Sequence, residues 1–134
     1  RPEILAEGGM QGRVRLRQQD FMKEELGAGQ DVALAANVIH GMRPEENREL
    51  FGRVARALNP GGVFAVFGQV RGMVGKTPLG RLTAAALGLN LFQQAGGQSY
   101  SADEVKAWSQ EAGFRSARVK PSRTPGFALI LCQN

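Results

Sequence analysis

The chain has 134 residues, an apolar fraction of 43% and a formal net charge of +5, which suits one domain with a real core. No apolar run approaches the roughly 20 residues of a membrane span, and Arg1-Pro2-Glu3 opens no signal sequence, so no membrane partner is expected. The basic residues are dispersed, with Arg13, Arg15, Arg17, Arg43, Arg48, Arg53, Arg56, Arg115 and Arg118 spread over the chain. A solvated surface is therefore expected, and no nucleic-acid partner.

Glu3 to Glu7 reads as the tail of a helix closed by Gly8-Gly9. Val14 to Gln18 alternates polar with apolar and predicts a strand, with Arg13, Arg15 and Arg17 on one wet side. Asp20-Phe21 ends it, and Phe21 to Leu26 is a turn or short helix. Asp31 to Ile39 carries the unalternated run Val32-Ala33-Leu34-Ala35-Ala36, as expected of a strand covered on both faces. A polar corner follows at His40-Gly41, with the only histidine of the chain.

A helix opens at Pro44, whose missing N–H costs nothing at the first helical position. Glu45 and Glu46 place negative charge where the helix dipole favours it. Leu50, Phe51, Val54, Ala55 and Leu58 recur at helical spacing and form one apolar stripe. Asn59-Pro60-Gly61-Gly62 stops the helix and leads into an apolar strand, Val63 to Val70. Asp31 to Val70 is thus a strand–helix–strand unit of a parallel sheet. Ligands on such sheets lie at the carboxyl ends of the strands, and His40 sits just past one.

Residues 71–99 are glycine-rich and hold a possible helix, Leu79 to Phe92. They read as a substrate-covering insertion or, equally, as a plain connecting helix. Ser101 with Glu104 three residues on makes a capping box for a helix that stops at Gly113. Phe114 to Lys120 and Phe127 to Cys132 are predicted strands, close enough to form an antiparallel pair. Cys132, the single cysteine, excludes an internal disulfide and reads as a small core residue in a cytoplasmic protein.

Taken in order, the Arg-Val strand, Gln19-Asp20-Phe21, Asn37-Val38-Ile39-His40, the Glu45-Glu46 helix and Asn59-Pro60-Gly61-Gly62 make a pattern. So does the stretch Ser101 to Phe114 followed by two strands. This resembles the S-adenosylmethionine-dependent O-methyltransferases of the class I, Rossmann-like fold, over nearly the whole chain. The resemblance implies an α/β fold. It would be a truncated Rossmann-like sheet, mostly parallel, with an antiparallel closing strand pair and helices on both faces. It implies methyl transfer from S-adenosylmethionine to a small-molecule hydroxyl, with His40 as the general base. Asp20 would accept a hydrogen bond from the adenine amine, Phe21 would lie on the adenine face, and Asn37 would join the cofactor site. Met42, Met73 and Phe92 would line an apolar acceptor pocket.

Each role has a competing reading: a turn-capping Asp20, a backbone-bonded corner residue at His40, and core packing for Met42, Met73 and Phe92. The family's Asp-Trp after the histidine is here Gly41-Met42, so an aromatic contact is lost. None of the eighteen glycines forms a GxGxG turn between strand and helix, and the resemblance places the family's first strand and that loop before Arg1. The chain therefore resembles a carboxyl-terminal portion, residues 1–134 being a partial catalytic domain whose amino-terminal half is a missing partner. In the family's sheet order two strands would lie between Val14–Gln18 and the strand at Val32. Their loss predicts a rearranged five-stranded sheet, dependence on that partner, or an edge-paired homodimer. The alternative to an enzyme is a non-catalytic binding or assembly module on the same fold.

Overall fold

The computed structural model describes residues 9–10, 12–73, 78, 82, 86 and 99–134. The predicted helices over Glu3–Glu7 and Leu79–Phe92 lie outside the described residues, apart from single positions, and so does Phe92. The described elements are β1 (Gln30–Ala36), a 3-10 turn (Ile39–Gly41), α1 (Pro44–Ala57), β2 (Leu58–Gln69), α2 (Ala102–Glu111), β3 (Ser116–Pro121) and β4 (Phe127–Gln133).

The four strands form one sheet in the order β1-β2-β4-β3. β1 runs parallel to β2, with Val32 opposite Val63 and Ala36 opposite Phe67. β2 and β3 both pair antiparallel with β4. The antiparallel closing pair is present, and one of the three described pairings is parallel.

α1 begins as expected at Pro44, and Glu46 reaches back to accept from the Arg43 N–H at 2.7 Å. This hydrogen bond, with the Arg43 side chain, holds the Glu46 carboxyl below its ordinary pKa. The helix ends at Ala57, and the chain turns straight into β2. Gly61 takes a φ of +81°, and a Cβ on Gly62 would lie 2.9 Å from the Asn59 carbonyl oxygen. Only glycine suits either position, because one needs a left-handed backbone and the other a close backbone approach.

Both described helices lie on one face of the sheet. Phe64, Val66, Ala128, Ile130 and Cys132 are buried there beneath Leu50, Phe51, Val54, Val105 and Trp108. The Phe51 ring meets Phe64 edge-on at 5.0 Å and Trp108 at 6.0 Å, the favoured arrangement of aromatic quadrupoles. Cys132 is buried, as expected, and burial pushes its thiol up in pKa. The opposite face is bare by comparison, with Val32 64% and Leu34 68% exposed.

Val14 to Gln18 is not a strand. It is an irregular, exposed run without a ladder partner among the described strands, and the described sheet has four strands rather than five. Alternation gives a segment two faces, but a strand also needs a neighbour to receive its backbone hydrogen bonds. Among the described strands, β1, the expected neighbour region, is instead an edge of the sheet. β1 also ends earlier than expected, at Ala36, because Asn37 enters the left-handed region at φ +55°. Among the described residues no helix is long and apolar enough to cross a membrane.

Candidate functional site

The parallel strands β1 and β2 end side by side, and the Asn37 N–H donates to the Phe67 carbonyl at 2.8 Å to close the last rung. The left-handed Asn37 swings the chain across the end of β2 into the turn Ile39–Gly41. Ile39 anchors this turn in the core, and His40 is left 8% exposed. The imidazole lies directly over Gly68 of β2. A Cβ at Gly68 would fall 2.7 Å from His40 Cε1 and 3.4 Å from Nδ1, so the ring occupies the space a side chain would take.

Burial lowers the His40 pKa below its ordinary value of 6.5, since the charged ring loses hydration. Nδ1 is buried without a partner among the described residues. The ring is therefore neutral at pH 7 and able to accept a proton, which is what a base on a hydroxyl requires.

The turn is fastened from two sides. Asn47, on the first turn of α1, is fully buried; its Nδ2 donates to the Ile39 carbonyl at 2.9 Å and to the Met42 carbonyl at 3.4 Å. The Tyr100 hydroxyl donates to the same Met42 carbonyl at 2.6 Å. Tyr100 is placed by its neighbours. The Arg71 N–H donates to the Tyr100 carbonyl at 2.8 Å, and Ser101 caps α2 by accepting from the Glu104 N–H at 3.2 Å. Glu104 returns a carboxylate oxygen to the Ser101 N–H at 2.7 Å and to Arg71 at 2.9 Å.

Asp20 stands in a different setting. Its carboxylate accepts from the Met22 N–H at 3.0 Å and faces Lys23 Nζ at 3.2 Å. These two partners hold its pKa below the usual value, the backbone bond foremost. This is the turn-capping arrangement that competes with an adenine contact. The turn is tied to α1 by Arg53, which donates to the Phe21 carbonyl at 3.1 Å and also to that of Glu24. Arg53 lies roughly 14 Å along the helix from Pro44, at 1.5 Å per residue. No hydrogen bond joins the Asp20 turn to the His40 corner among the described residues.

Phe21 is half-exposed. It lines a groove of about 500 Å³ along the open side of β1 together with Arg17, Leu26, Val32, Leu34, Leu50 and Val54. The groove is mostly apolar, and His40 does not line it, so it follows the edge strand β1 rather than the candidate base. Met42 and Met73 are half-buried and pack against the core. Among the described residues no group of three metal-ligating side chains comes together.

Asn47, Tyr100 and Gly68 were not legible as site residues in the sequence pattern. One signal was available: Asn47 lies three and four positions before Leu50 and Phe51, a polar residue on the apolar stripe of α1.

Comparisons with known proteins bear on the family and the fold. The chain is 27% identical over 124 residues to a 3-hydroxy-5-methyl-1-naphthoate 3-O-methyltransferase of Streptomyces sahachiroi; the match spans 92% of this chain and 35% of that protein. The structure of a mitomycin 7-O-methyltransferase superposes with a TM-score of 0.84 at 22% identity, over 99% of this chain and 38% of the other. Human N-acetylserotonin methyltransferase, solved in complex with S-adenosylmethionine, superposes with a TM-score of 0.71 at 23% identity, over 88% and 33%. The chain thus spans about a third of the length of these proteins. The family model for the O-methyltransferase domain matches residues 2–115, and the chain accordingly belongs to that family.

Proposed function

We propose that this chain forms the acceptor-side portion of an S-adenosylmethionine-dependent methyltransferase acting on a hydroxyl of a small molecule, with His40 as the general base. One observation carries the reading. The only histidine is a buried, neutral imidazole held at the carboxyl ends of two parallel strands, where ligands of such sheets bind. The order of steps follows from its state. The imidazole takes the proton from the acceptor hydroxyl, and the corner holds the resulting oxygen nucleophile oriented for in-line attack.

The residues present fit the nucleoside end of a cofactor in part. The Asp20 carboxylate keeps lone pairs beyond those given to Met22 and Lys23, and the Phe21 ring beside it is half-exposed. Asn37, next to the His40 corner, would complete the cofactor contacts. Bound S-adenosylmethionine supplies the electrophilic methyl group. Met42 and Met73, packed near the His40 corner and the end of β2, would offer the acceptor an apolar wall.

The test is methyl transfer to phenolic and enolic acceptors by the chain, alone and with an upstream segment covering the rest of the relatives' length. His40→Gln is expected to lower kcat by roughly 10²–10⁴-fold while S-adenosylhomocysteine binds as before. An undiminished rate in that variant overturns the base assignment.

The open, apolar side of β1 favours a second reading, a non-catalytic assembly module or a homodimer joined at that edge. No methyl transfer by the extended protein would select the module. A monomeric sedimentation coefficient would remove the dimer.

A further inference from the structure

We propose that Asn47, Tyr100 and Gly68 are positioning residues that hold the His40 ring in its working place, a role that rests on His40 being the base. A buried amide in an otherwise apolar helix face is unfavourable unless it is hydrogen-bonded, and a leucine would fill the space with less risk. Asn47 nonetheless sits fully buried on that face; its Nδ2 donates to the Ile39 and Met42 carbonyls, while its Oδ1 is buried without a partner among the described residues. These carbonyls flank His40-Gly41. Tyr100 brings a second donor to the Met42 carbonyl from the segment just before α2, fifty-eight residues away. Donors from two separate elements thus converge on one three-residue turn. Three residues in a 3-10 turn have few hydrogen bonds of their own, so this external grip decides where the turn sits.

The third contact is made by an absent side chain. Gly68 lies in a regular strand, away from the left-handed region, so nothing in its own backbone calls for glycine. What calls for it is the His40 ring, which would meet any Cβ there at 2.7 Å. Asn47 and Tyr100 hold the turn, and the bare strand at Gly68 leaves the ring its seat. Burial of the ring against that strand then keeps it neutral.

The single histidine gives a clean reporter, because the imidazole Cε1–H signal of the chain has one source. Gly68→Ala fits the strand backbone and crowds the ring, its other near neighbour, Asn37 Oδ1, lying at an ordinary contact distance of 3.6 Å. It is expected to shift that signal and to raise the titration midpoint toward the free imidazole value of about 6.5. Tyr100→Phe and Asn47→Leu are expected to move the midpoint the same way, by loosening the turn. Cys132→Ala, a core truncation at the far end of β4, should lower the melting temperature and leave the midpoint unmoved.

Unchanged ring shifts in Gly68→Ala and Tyr100→Phe would overturn the proposal, as would an equal response to Cys132→Ala. In the extended protein the positioning variants should lower kcat by about tenfold or more with KM little changed, since displacement of a base by about 1 Å can cost 10²-fold. If His40→Gln keeps full activity while the ring signals respond as described, the base assignment fails and the grip on the ring stands.

Discussion

The corner that carries His40 and the turn that carries Asp20 are both polar breaks in an apolar stretch of chain, and they are built in opposite ways. Among the described residues, every hydrogen bond to the Asp20 carboxylate and backbone comes from within four residues, from Met22, Lys23 and Glu24. The His40 corner is held by residues eight and fifty-eight positions from the carbonyls they reach, and it is buried where the Asp20 turn is wet. The Asp20 contacts are made by its own neighbours, although Arg53 of α1 ties the same turn to the helix through the Phe21 and Glu24 carbonyls. A corner assembled from distant elements exists only when the whole sheet and both helices are in place. Its geometry is therefore a property of the fold, and so is the chemistry that the geometry permits.

The sharpest way to break this contrast is Asn47→Asp. A carboxylate in place of the amide would face two carbonyl oxygens in a buried site. It should lower stability by about 3–5 kcal/mol, read from urea denaturation. Little change would mean that the corner is not a buried, cooperative structure. Ser101→Ala is the next probe. It removes the cap that holds the segment carrying Tyr100 and should cost about 1 kcal/mol by the same measurement.

The pH dependence of stability separates the two regions further. The folded His40 pKa lies below 6.5, so the unfolded chain takes up the proton first as pH falls. Stability should be flat above about pH 6.5 and fall below it, until the pH passes the folded value. His40→Gln should abolish that fall. The Asp20, Glu46 and Glu104 carboxyls are shifted downward, so their contributions are lost only at lower pH, as it falls through the carboxylate range. Retention of the first fall in His40→Gln would assign it to some other group. The smallest effect is expected from Asp20→Asn, whose exposed turn should leave the urea midpoint unmoved. A clear loss there would show that the Asp20 side chain itself supports the core, beyond the Arg53 contacts to the turn.

Elements whose reasons are local were legible in the sequence. Pro44 with Glu45 and Glu46 announced α1 and Ser101 with Glu104 announced α2, whereas Asn59-Pro60-Gly61-Gly62, expected as the break between helix and strand, lies inside β2, which already starts at Leu58. Both helix signals work through backbone donors and acceptors a few residues away. The Val14–Gln18 strand was misjudged for the converse reason: its alternation was real, but pairing belongs to two segments at once. His40 stood out because it is the only histidine at a strand end. Gly68, Tyr100 and Asn47 did not, since their meaning lies in what they face.

The order of apolar runs, caps and breakers along this chain determined by itself that it would form a parallel strand–helix–strand unit followed by a capped helix and an antiparallel pair. Those features are set by 3.6- and 2-residue periodicity and by turn chemistry, which act over a few positions. Only the tertiary structure decided which edge of the sheet stays open, which face stays bare, and that one imidazole rests neutral over a glycine. Those outcomes depend on contacts between residues far apart in sequence, and no local pattern encodes such distances.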